Sequence, residues 1–230
     1  KLISYDQRGY GQTDRPLQSY DVELWADDLA ALLDKLGIPR AHVMGTSAGG
    51  MIALKFAAKY PEKCIGVVSD CAFAKCDEMR KIMFRTWRHM ARSWGCSTEF
   101  ADHVLTQAVG ADYLDGPNGP AIVEMVRTIV GLNSVDTVVQ ACLAMENMDL
   151  REDCKKIKNP TLVITAKKDM LTPMETGASG AGAQWVADNV PGCELIVYED
   201  IGHADLVECP EKTIASTINF LHRAKQKVLG

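Results

Sequence analysis

Short apolar runs alternate with helix-periodic stretches along most of the chain. The apolar runs predict β-strands at 2–6, 41–46, 64–70, 161–166 and 193–198. Between the first two runs, leucines recur at near-helical spacing within residues 20–38, and a second apolar-periodic helix follows residue 47. A last helix is predicted over about 210–225, with Pro210 near its start. This alternation is typical of strand–helix–strand units and predicts an α/β fold with a mostly parallel sheet flanked by helices.

The alternation breaks once, over residues 75–150. This segment has no convincing strand pattern and contains at least three amphipathic helical stretches, among them 77–95 and 119–133. An all-helical insert between two strands predicts a lid over one edge of the sheet. The chain is therefore divided into a first part of the core at 1–74, the inserted helical lid, and the rest of the core at 151–230.

Composition limits the class of protein and its partners. The chain has 230 residues, of which 47% are hydrophobic and 24% are charged, as in an ordinary globular domain with a sizeable core. The net charge is −5 and there is no run of basic residues, which argues against nucleic acid or an anionic membrane surface as the main partner. No apolar segment is long enough to span a bilayer.

Cysteine and histidine spacing gives no sign of a metal or disulfide framework. The eight cysteines include no C-x-x-C pair, and in a chain of this length they predict reduced thiols and a cytoplasmic location. The histidines include no H-x-x-x-H pair, so no metal site is predicted. The chain starts at Lys1 without a methionine, so a targeting peptide upstream is left open.

Residues 45–49 are Gly-Thr-Ser-Ala-Gly, between a predicted strand and a predicted helix. A serine in such a tight turn projects its hydroxyl clear of the sheet, and small neighbours let the backbone adopt the turn. The following N–H, that of Ala48, and the helix N-terminus would then face a developing oxyanion. Ser47 is therefore a candidate nucleophile, with a small structural residue at a Gly-rich turn as the alternative interpretation.

A serine nucleophile needs a base and an acid that orients the base, and in this architecture the chain order is serine, acid, histidine. Asp169 comes just after the fourth predicted strand, and His203 lies in the loop after the fifth. Because three independent placements agree, the sequence predicts a triad of Ser47, Asp169 and His203. Asp200 and Asp205 are left open as rival acids.

Four segments carry a resemblance to a known superfamily. They are YDQRGYGQTDRP at 5–16, VMGTSAGG at 43–50, LVITAKKDMLTP at 162–173 and IGHADLVECPE at 201–211. The sequence is identified as a member of the α/β-hydrolase superfamily and resembles 3-oxoadipate enol-lactonase-like and esterase-like serine hydrolases. The resemblance implies Ser47 as nucleophile, His203 as base and Asp169 as orienting acid. This chemistry needs no metal and no organic cofactor.

The resemblance also brings out a departure from the family pattern. Such relatives carry further strands before the one predicted at 2–6, and a His-Gly loop among them supplies a second oxyanion donor. This sequence contains neither those strands nor that loop, which leaves the Ala48 N–H as the oxyanion donor visible in it. Our hypothesis is that the chain is a fragment whose N-terminal strands are absent.

The predicted function is hydrolysis of a small-molecule ester or lactone through an acyl-enzyme intermediate. The same triad also fits a C–C bond hydrolase, an aminopeptidase, a thioesterase, a perhydrolase, or acyl transfer to an alcohol or thiol. An alternative from another class is a non-catalytic module that binds a small ligand on the hydrolase fold. The predicted partner is a small molecule rather than nucleic acid or membrane, and a homodimer is left open.

Overall fold

A parallel sheet forms the centre of the fold in the computed structural model, which describes residues 1–229. Its strands are β1 (Ala41–Thr46), β2 (Cys64–Asp70), β3 (Thr161–Ala166) and β4 (Glu194–Tyr198). They lie in the order β1-β2-β3-β4, and each neighbouring pair is parallel. The predicted parallel sheet and the last four predicted strands are therefore confirmed.

Helices occupy the connections between these strands. Their bounds are α1 (Val22–Lys35), α2 (Ala48–Lys59), α3 (Glu78–Trp94), α4 (Thr98–Ala108), α5 (Ala111–Leu114), α6 (Gly119–Gly131), α7 (Val135–Asn147), α8 (Arg151–Cys154), α9 (Ala183–Asn189), α10 (Asp205–Glu208) and α11 (Pro210–Leu229). The helices predicted before β1, after residue 47 and at the end of the chain are confirmed as α1, α2 and α11.

Side-chain caps set where the longer helices begin. Asp21 precedes α1 and accepts the Leu24 N–H at 2.7 Å. Asp77 precedes α3 and accepts the Arg80 N–H at 2.9 Å. Such a cap satisfies one of the amide groups that lack an intrahelical partner and typically contributes about 1 kcal/mol. The helix starts are thus encoded by single polar residues just before apolar-periodic segments.

The strand predicted at 2–6 is wrong. Residues 1–7 form no strand and pair with none of the four described strands. A strand exists through the hydrogen bonds it makes to a neighbour, and an apolar pattern alone does not supply that neighbour. Leu2 is 93% exposed, so the pattern does not mark buried positions here. The segment leads instead into a turn in which the Asp6 carboxylate accepts the Gln12 N–H at 2.9 Å.

The core lies on both faces of the sheet. Val67 belongs to a cluster with α1 and α2, whereas the next residue, Val68, belongs to a cluster with Phe220 of α11. Successive side chains of a strand point to opposite faces, so this alternation places helices on each side. All six residues of β3 are buried, as expected for a central strand covered on both faces.

The segment between β2 and β3 contains α3 to α8 and, among the described residues, no strand of the sheet. Helix α3 packs against α7, and α4 packs against α6. This helical content agrees with the insert predicted at 75–150, whose role as a lid stays a prediction. Within residues 1–229, no single helix is long and apolar enough to cross a membrane; α6 and α7 pass that test only as a pair, by length and composition, and are bent by 98° at their junction.

The core assignment can be tested by truncating one buried side chain of α2. Leu54 is 0% exposed, whereas Ile218 in α11 is 47% exposed. Because Leu54→Ala removes buried methyl groups and leaves a cavity, we expect the free energy of unfolding to fall by about 2–5 kcal/mol. Ile218→Ala is the control and should cost less than about 1 kcal/mol. Urea unfolding followed by circular dichroism measures both, and equal losses would contradict the assignment.

Candidate active site

Ser47 sits at a strained turn between β1 and α2. Its backbone has φ 57° and ψ −121°, a conformation that non-glycine residues rarely adopt and that costs on the order of 1–3 kcal/mol. Its N–H donates to the Asp70 carbonyl oxygen at 2.9 Å, and its own carbonyl accepts the Gly50 N–H at 2.9 Å. The side chain makes no capping bond to α2. Backbone bonds therefore hold Ser47 in the turn, and its hydroxyl is not used to cap α2.

Two glycines permit the close approach of strand and helix at this turn. A Cβ on Gly45 would lie 2.2 Å from the backbone carbonyl of Gly49, and a Cβ on Gly50 would lie 2.8 Å from Ala72 Cβ. A Cβ on Gly49, in contrast, would meet nothing within 4 Å. The packing of the strand against the helix therefore requires glycine at positions 45 and 50, but not at position 49.

Asp169 and His203 form a buried pair beyond the ends of β3 and β4. His203 Nδ1 lies 2.9 Å from Asp169 Oδ2, and both side chains are buried. The other carboxylate oxygen, Oδ1, accepts the N–H groups of Leu171 and Thr172, each at 2.8 Å. The Asp169 carboxylate is thereby fixed from two sides, and it fixes the imidazole in turn.

Burial and charge act in opposite directions on this pair. Burial by itself raises the pKa of Asp169, but the adjacent His203 and the hydroxyl and N–H of Thr172 outweigh it and hold that pKa below its ordinary value. Burial by itself lowers the pKa of His203, but the hydrogen bond and charge of Asp169 outweigh it, so that the pKa of His203 is raised. The pair therefore combines an ionised acid with an imidazole of increased basicity.

The end of β2 joins the serine turn to this pair. Cys71 follows Asp70, and its carbonyl oxygen lies 2.6 Å from Thr172 Oγ1. The same hydroxyl oxygen lies 2.7 Å from Asp169 Oδ2 and 3.1 Å from His203 Nδ1. The backbone carbonyl of Asp70, the residue before Cys71, accepts the Ser47 N–H. Because the strands are parallel and adjacent, the residues that follow them meet at one edge of the sheet, as predicted for a site in this architecture.

Ala48 is the first residue of α2. The N–H groups at the start of a helix lack an intrahelical partner, and the helix dipole adds positive potential there. The predicted role of the Ala48 N–H as an oxyanion donor is consistent with this position and stays a prediction.

The rival acids lie elsewhere in the structure. Asp200 is exposed and lies 3.5 Å from Lys168. Asp205 is buried, but its carboxylate accepts from the Leu206 N–H and the Thr213 hydroxyl rather than from the imidazole. The geometry therefore selects Asp169 as the partner of His203.

Two polar residues of this network were missed in the sequence. Thr172 contacts both members of the Asp169–His203 pair, and Asp70 binds the backbone of Ser47. A carboxylate that ends an otherwise apolar buried strand, as in CIGVVSD, was the available signal for Asp70. No sequence signal marks Thr172, because its role depends on how the loop after β3 folds back.

Two sets of side chains are close enough to face one cation. The atoms of Cys71, Asp169 and His203 lie within 4.8 Å of one another, as do those of Asp70, Cys71 and Asp205. Burial raises the pKa of the Cys71 thiol, which keeps it protonated, whereas metals bind the thiolate. His203 Nδ1 is already engaged by Asp169. Both sets of side chains are therefore better explained as parts of the hydrogen-bond network than as metal sites.

Comparison with known proteins identifies the family. Residues 1–210 match the family model described as alpha/beta hydrolase fold. The chain belongs to the α/β-hydrolase family. The resemblance found in the sequence is thus confirmed, and the chain has the fold predicted for it.

Curated relatives are similar over most of the hydrolase chain. It is 30% identical to "Putative carbamate hydrolase RutD" of Caulobacter sp. (strain K31), over 96% of this chain and 80% of that protein. It is 29% identical to 3-oxoadipate enol-lactonase 2 of Acinetobacter baylyi (strain ATCC 33305 / BD413 / ADP1), over 91% of this chain and 74% of that protein.

A solved structure extends the similarity to the fold. The enol-lactonase from Burkholderia xenovorans LB400 superposes with a TM-score of 0.85 at 26% identity, over 95% of this chain and 79% of that chain. The expected likeness to enol-lactonases is therefore found both in sequence and in structure.

Alanine substitutions of the two glycines that flank Ser47, Gly45 and Gly49, should change the free energy of unfolding in opposite directions. Gly45→Ala places a methyl group against the Gly49 backbone, and we expect the free energy of unfolding to fall by about 1–3 kcal/mol. Gly49→Ala, in α2 and facing open space, should instead raise it by about 0.4–1 kcal/mol. Chemical denaturation measures both changes. A destabilised Gly49→Ala variant beside an unaffected Gly45→Ala variant would contradict this geometry.

Proposed function

We propose that the protein is a serine hydrolase that cleaves a small-molecule ester or lactone, with Ser47 as the nucleophile. The observation that carries this proposal is the buried Asp169–His203 pair, joined at 2.9 Å, at the sheet edge where β1 ends in the strained Ser47 turn. An enol-lactonase among its relatives and another among the solved structures support the substrate class.

The reaction begins when His203 accepts the Ser47 proton as Oγ attacks the carbonyl carbon. Asp169 holds the Nδ1–H tautomer, leaving Nε2 as the base, and it stabilises the imidazolium that forms. The imidazolium then gives its proton to the leaving alcohol oxygen. Water, deprotonated by the same imidazole, hydrolyses the acyl-enzyme and returns Ser47 to its starting state.

The negative charge that develops on the carbonyl oxygen needs donors. We assign one of them to the Ala48 N–H, because it follows Ser47 directly and starts α2. A single donor of this kind is typically worth about 10²–10³ in turnover. We assign the choice of substrate to the helical segment 75–150, as the predicted lid.

A carbamate is the second candidate substrate, favoured by the 30% identity to a relative named for carbamate hydrolysis. A carbamate carbonyl carries both an oxygen and a nitrogen substituent, and it is opened by the same attack of a serine on a carbonyl carbon. A panel of matched esters, lactones and carbamates with one common acyl size would separate these classes by their kcat/KM values.

The role of Ser47 can be tested with a fluorophosphonate, which forms a stable adduct with an activated serine. Intact-mass analysis and peptide mapping should find one adduct, on Ser47, that is lost in Ser47→Ala and in His203→Ala. Ser93→Ala, at an exposed position of α3, is the matched control and should label normally. A folded protein that takes up no label would contradict the proposal and favour the non-catalytic binding module.

The pH dependence of kcat/KM tests the Asp169–His203 pair. The base must be neutral, and Asp169 raises the pKa of His203 above its ordinary 6.5, so activity should rise with pH through a midpoint above 6.5. Asp169→Asn removes the negative charge and the correct tautomer; kcat should fall roughly 10⁴-fold and the midpoint should move to lower pH. Asp200→Asn is the control. If it had the larger effect, Asp169 would not be the acid.

A further inference from the structure

A second pair of carboxyl groups lies behind the proposed triad. Asp70 ends β2 and Asp205 begins α10, and both residues are 0% exposed. Carboxylate oxygens of the two side chains lie within 4.8 Å of each other. Within residues 1–229, no lysine or arginine forms an ion pair with either one. Two buried carboxylates this close together without a cation would be strongly unfavourable, so the pair needs another form of compensation.

The hydrogen-bond donors around the two carboxyl groups indicate which oxygen needs a proton. Asp205 Oδ1 accepts the Leu206 N–H at 2.8 Å, and Asp205 Oδ2 accepts the Thr213 hydroxyl at 2.9 Å. Asp70 Oδ2 accepts the Thr46 hydroxyl at 2.6 Å, but Asp70 Oδ1 is fully buried and receives no hydrogen from the described residues. One proton on this oxygen would turn it into the donor of a hydrogen bond to Asp205.

We propose that Asp70 and Asp205 share one proton, carried by Asp70, and that this carboxyl pair positions the Ser47 turn relative to the His203 loop. This inference rests on the proposed function for its effect on catalysis, but not for the proton itself. We assign the proton to Asp70 because each carboxylate oxygen of Asp205 already accepts a hydrogen bond, which favours the charged form of Asp205. Burial raises the pKa of both groups, and the charge of Asp205 raises that of Asp70 further, to about 7.

The pair connects the two halves of the site through short paths. Asp70 binds the Thr46 hydroxyl through its side chain and the Ser47 N–H through its carbonyl oxygen. Asp205 lies two residues after His203 in the sequence and is anchored to α11 through Thr213. A proton between the carboxyl groups therefore joins the strand that carries the nucleophile to the loop that carries the base. Both aspartates are positioning residues, since neither is placed at the reacting atoms.

Loss of this proton at alkaline pH should loosen the site. The titratable groups that face the pair are His203 and the Cys71 thiol, with Asp169 on the far side of the imidazole. At alkaline pH His203 is neutral, so nothing offsets two adjacent negative charges in a buried position. The carboxylates would repel each other and separate the turn from the loop. The pair thus predicts an alkaline limb in the pH profile, in addition to the acid limb set by His203.

Substitutions of Asp70 distinguish a shared proton from simple packing. In Asp70→Asn the amide oxygen can accept from Thr46 while the NH₂ group donates permanently to Asp205, whereas Asp70→Ala leaves Asp205 without that donor. We expect Asp70→Ala to lower kcat by about tenfold or more, with Asp70→Asn recovering most of the loss. Asp70→Asn should also move or remove the alkaline limb, because the amide has no proton to lose as the pH rises.

Asp205→Asn is the reciprocal variant and should behave differently. It removes the negative charge near His203 and replaces one acceptor of the Leu206 N–H or Thr213 hydroxyl with a donor. We expect a larger loss of kcat than in Asp70→Asn and a shift of the acid limb to lower pH. Asp188→Asn, an exposed acid in α9, controls for a general effect of charge. Equal effects of Asp70→Asn and Asp205→Asn would overturn the assignment of the proton to Asp70.

A spectroscopic test does not depend on catalysis. The infrared spectrum of the wild-type protein in D₂O at mildly acidic pH should contain the C=O band of a protonated carboxyl group that disappears as the pH rises through about 7, and Asp70→Asn should lack it. Absence of that band from the wild type would overturn the inference, whatever the activity. A band that behaves as expected in a protein that takes up no fluorophosphonate would leave the carboxyl pair standing and overturn the proposed function instead.

Discussion

The carboxyl end of β2 is the point on which the arrangement of the site depends. There the Asp70 carbonyl receives the Ser47 N–H, and the Cys71 N–H donates to the Ile164 carbonyl of β3 at 2.9 Å. These bonds continue the parallel pairing to the residues that follow β1 and β2. They fix the positions of β1, β2 and β3 relative to one another at this edge of the sheet. The loops that follow can then place their side chains within hydrogen-bond reach of one another, because their starting points are held by the sheet.

The buried negative charges at this edge of the sheet are compensated without lysine or arginine side chains. Three buried carboxyl groups, those of Asp70, Asp169 and Asp205, act on the pKa of one imidazole, that of His203, and Asp169 contacts it directly. Asp169 is compensated by two N–H donors, a threonine hydroxyl and His203, and Asp205 by an N–H and a hydroxyl. Asp70 has one hydroxyl donor for two oxygens. This deficit is the physical reason for assigning the shared proton to it.

Much of the fold could be predicted from the sequence because its signals are local. The four strands of the sheet are apolar runs bounded by turns, and helix starts follow capping residues such as Asp21 and Asp77. The predicted strand at 2–6 failed because its pattern is equally local, whereas a strand also needs a neighbour to pair with. Ser47, Asp169 and His203 could be placed at the same edge because each follows a strand in a parallel sheet.

The remaining part of the site could not be predicted because it depends on contacts between distant segments. Thr172 matters through the carbonyl of Cys71, and Asp70 matters through a carboxyl group that lies 135 positions further along the chain, at Asp205. Nothing in the spacing of these residues fixes such pairs. Their individual residue types are ordinary, and only the folded backbone makes them partners.

Backbone strain gives an independent argument for chemistry at this edge. Among residues 1–229, the non-glycine residues with positive φ are Ser47 at 57° and Cys71 at 42°, which follow β1 and β2 directly. Each costs on the order of 1–3 kcal/mol, and such strain clusters at active sites, ligand clamps and switch regions. The Ser47 side chain makes no capping bond to α2, and the turn at Cys71 presents the carbonyl that holds Thr172 beside His203. The coincidence of both with a buried acid–imidazole pair therefore favours a nucleophile over a binding surface.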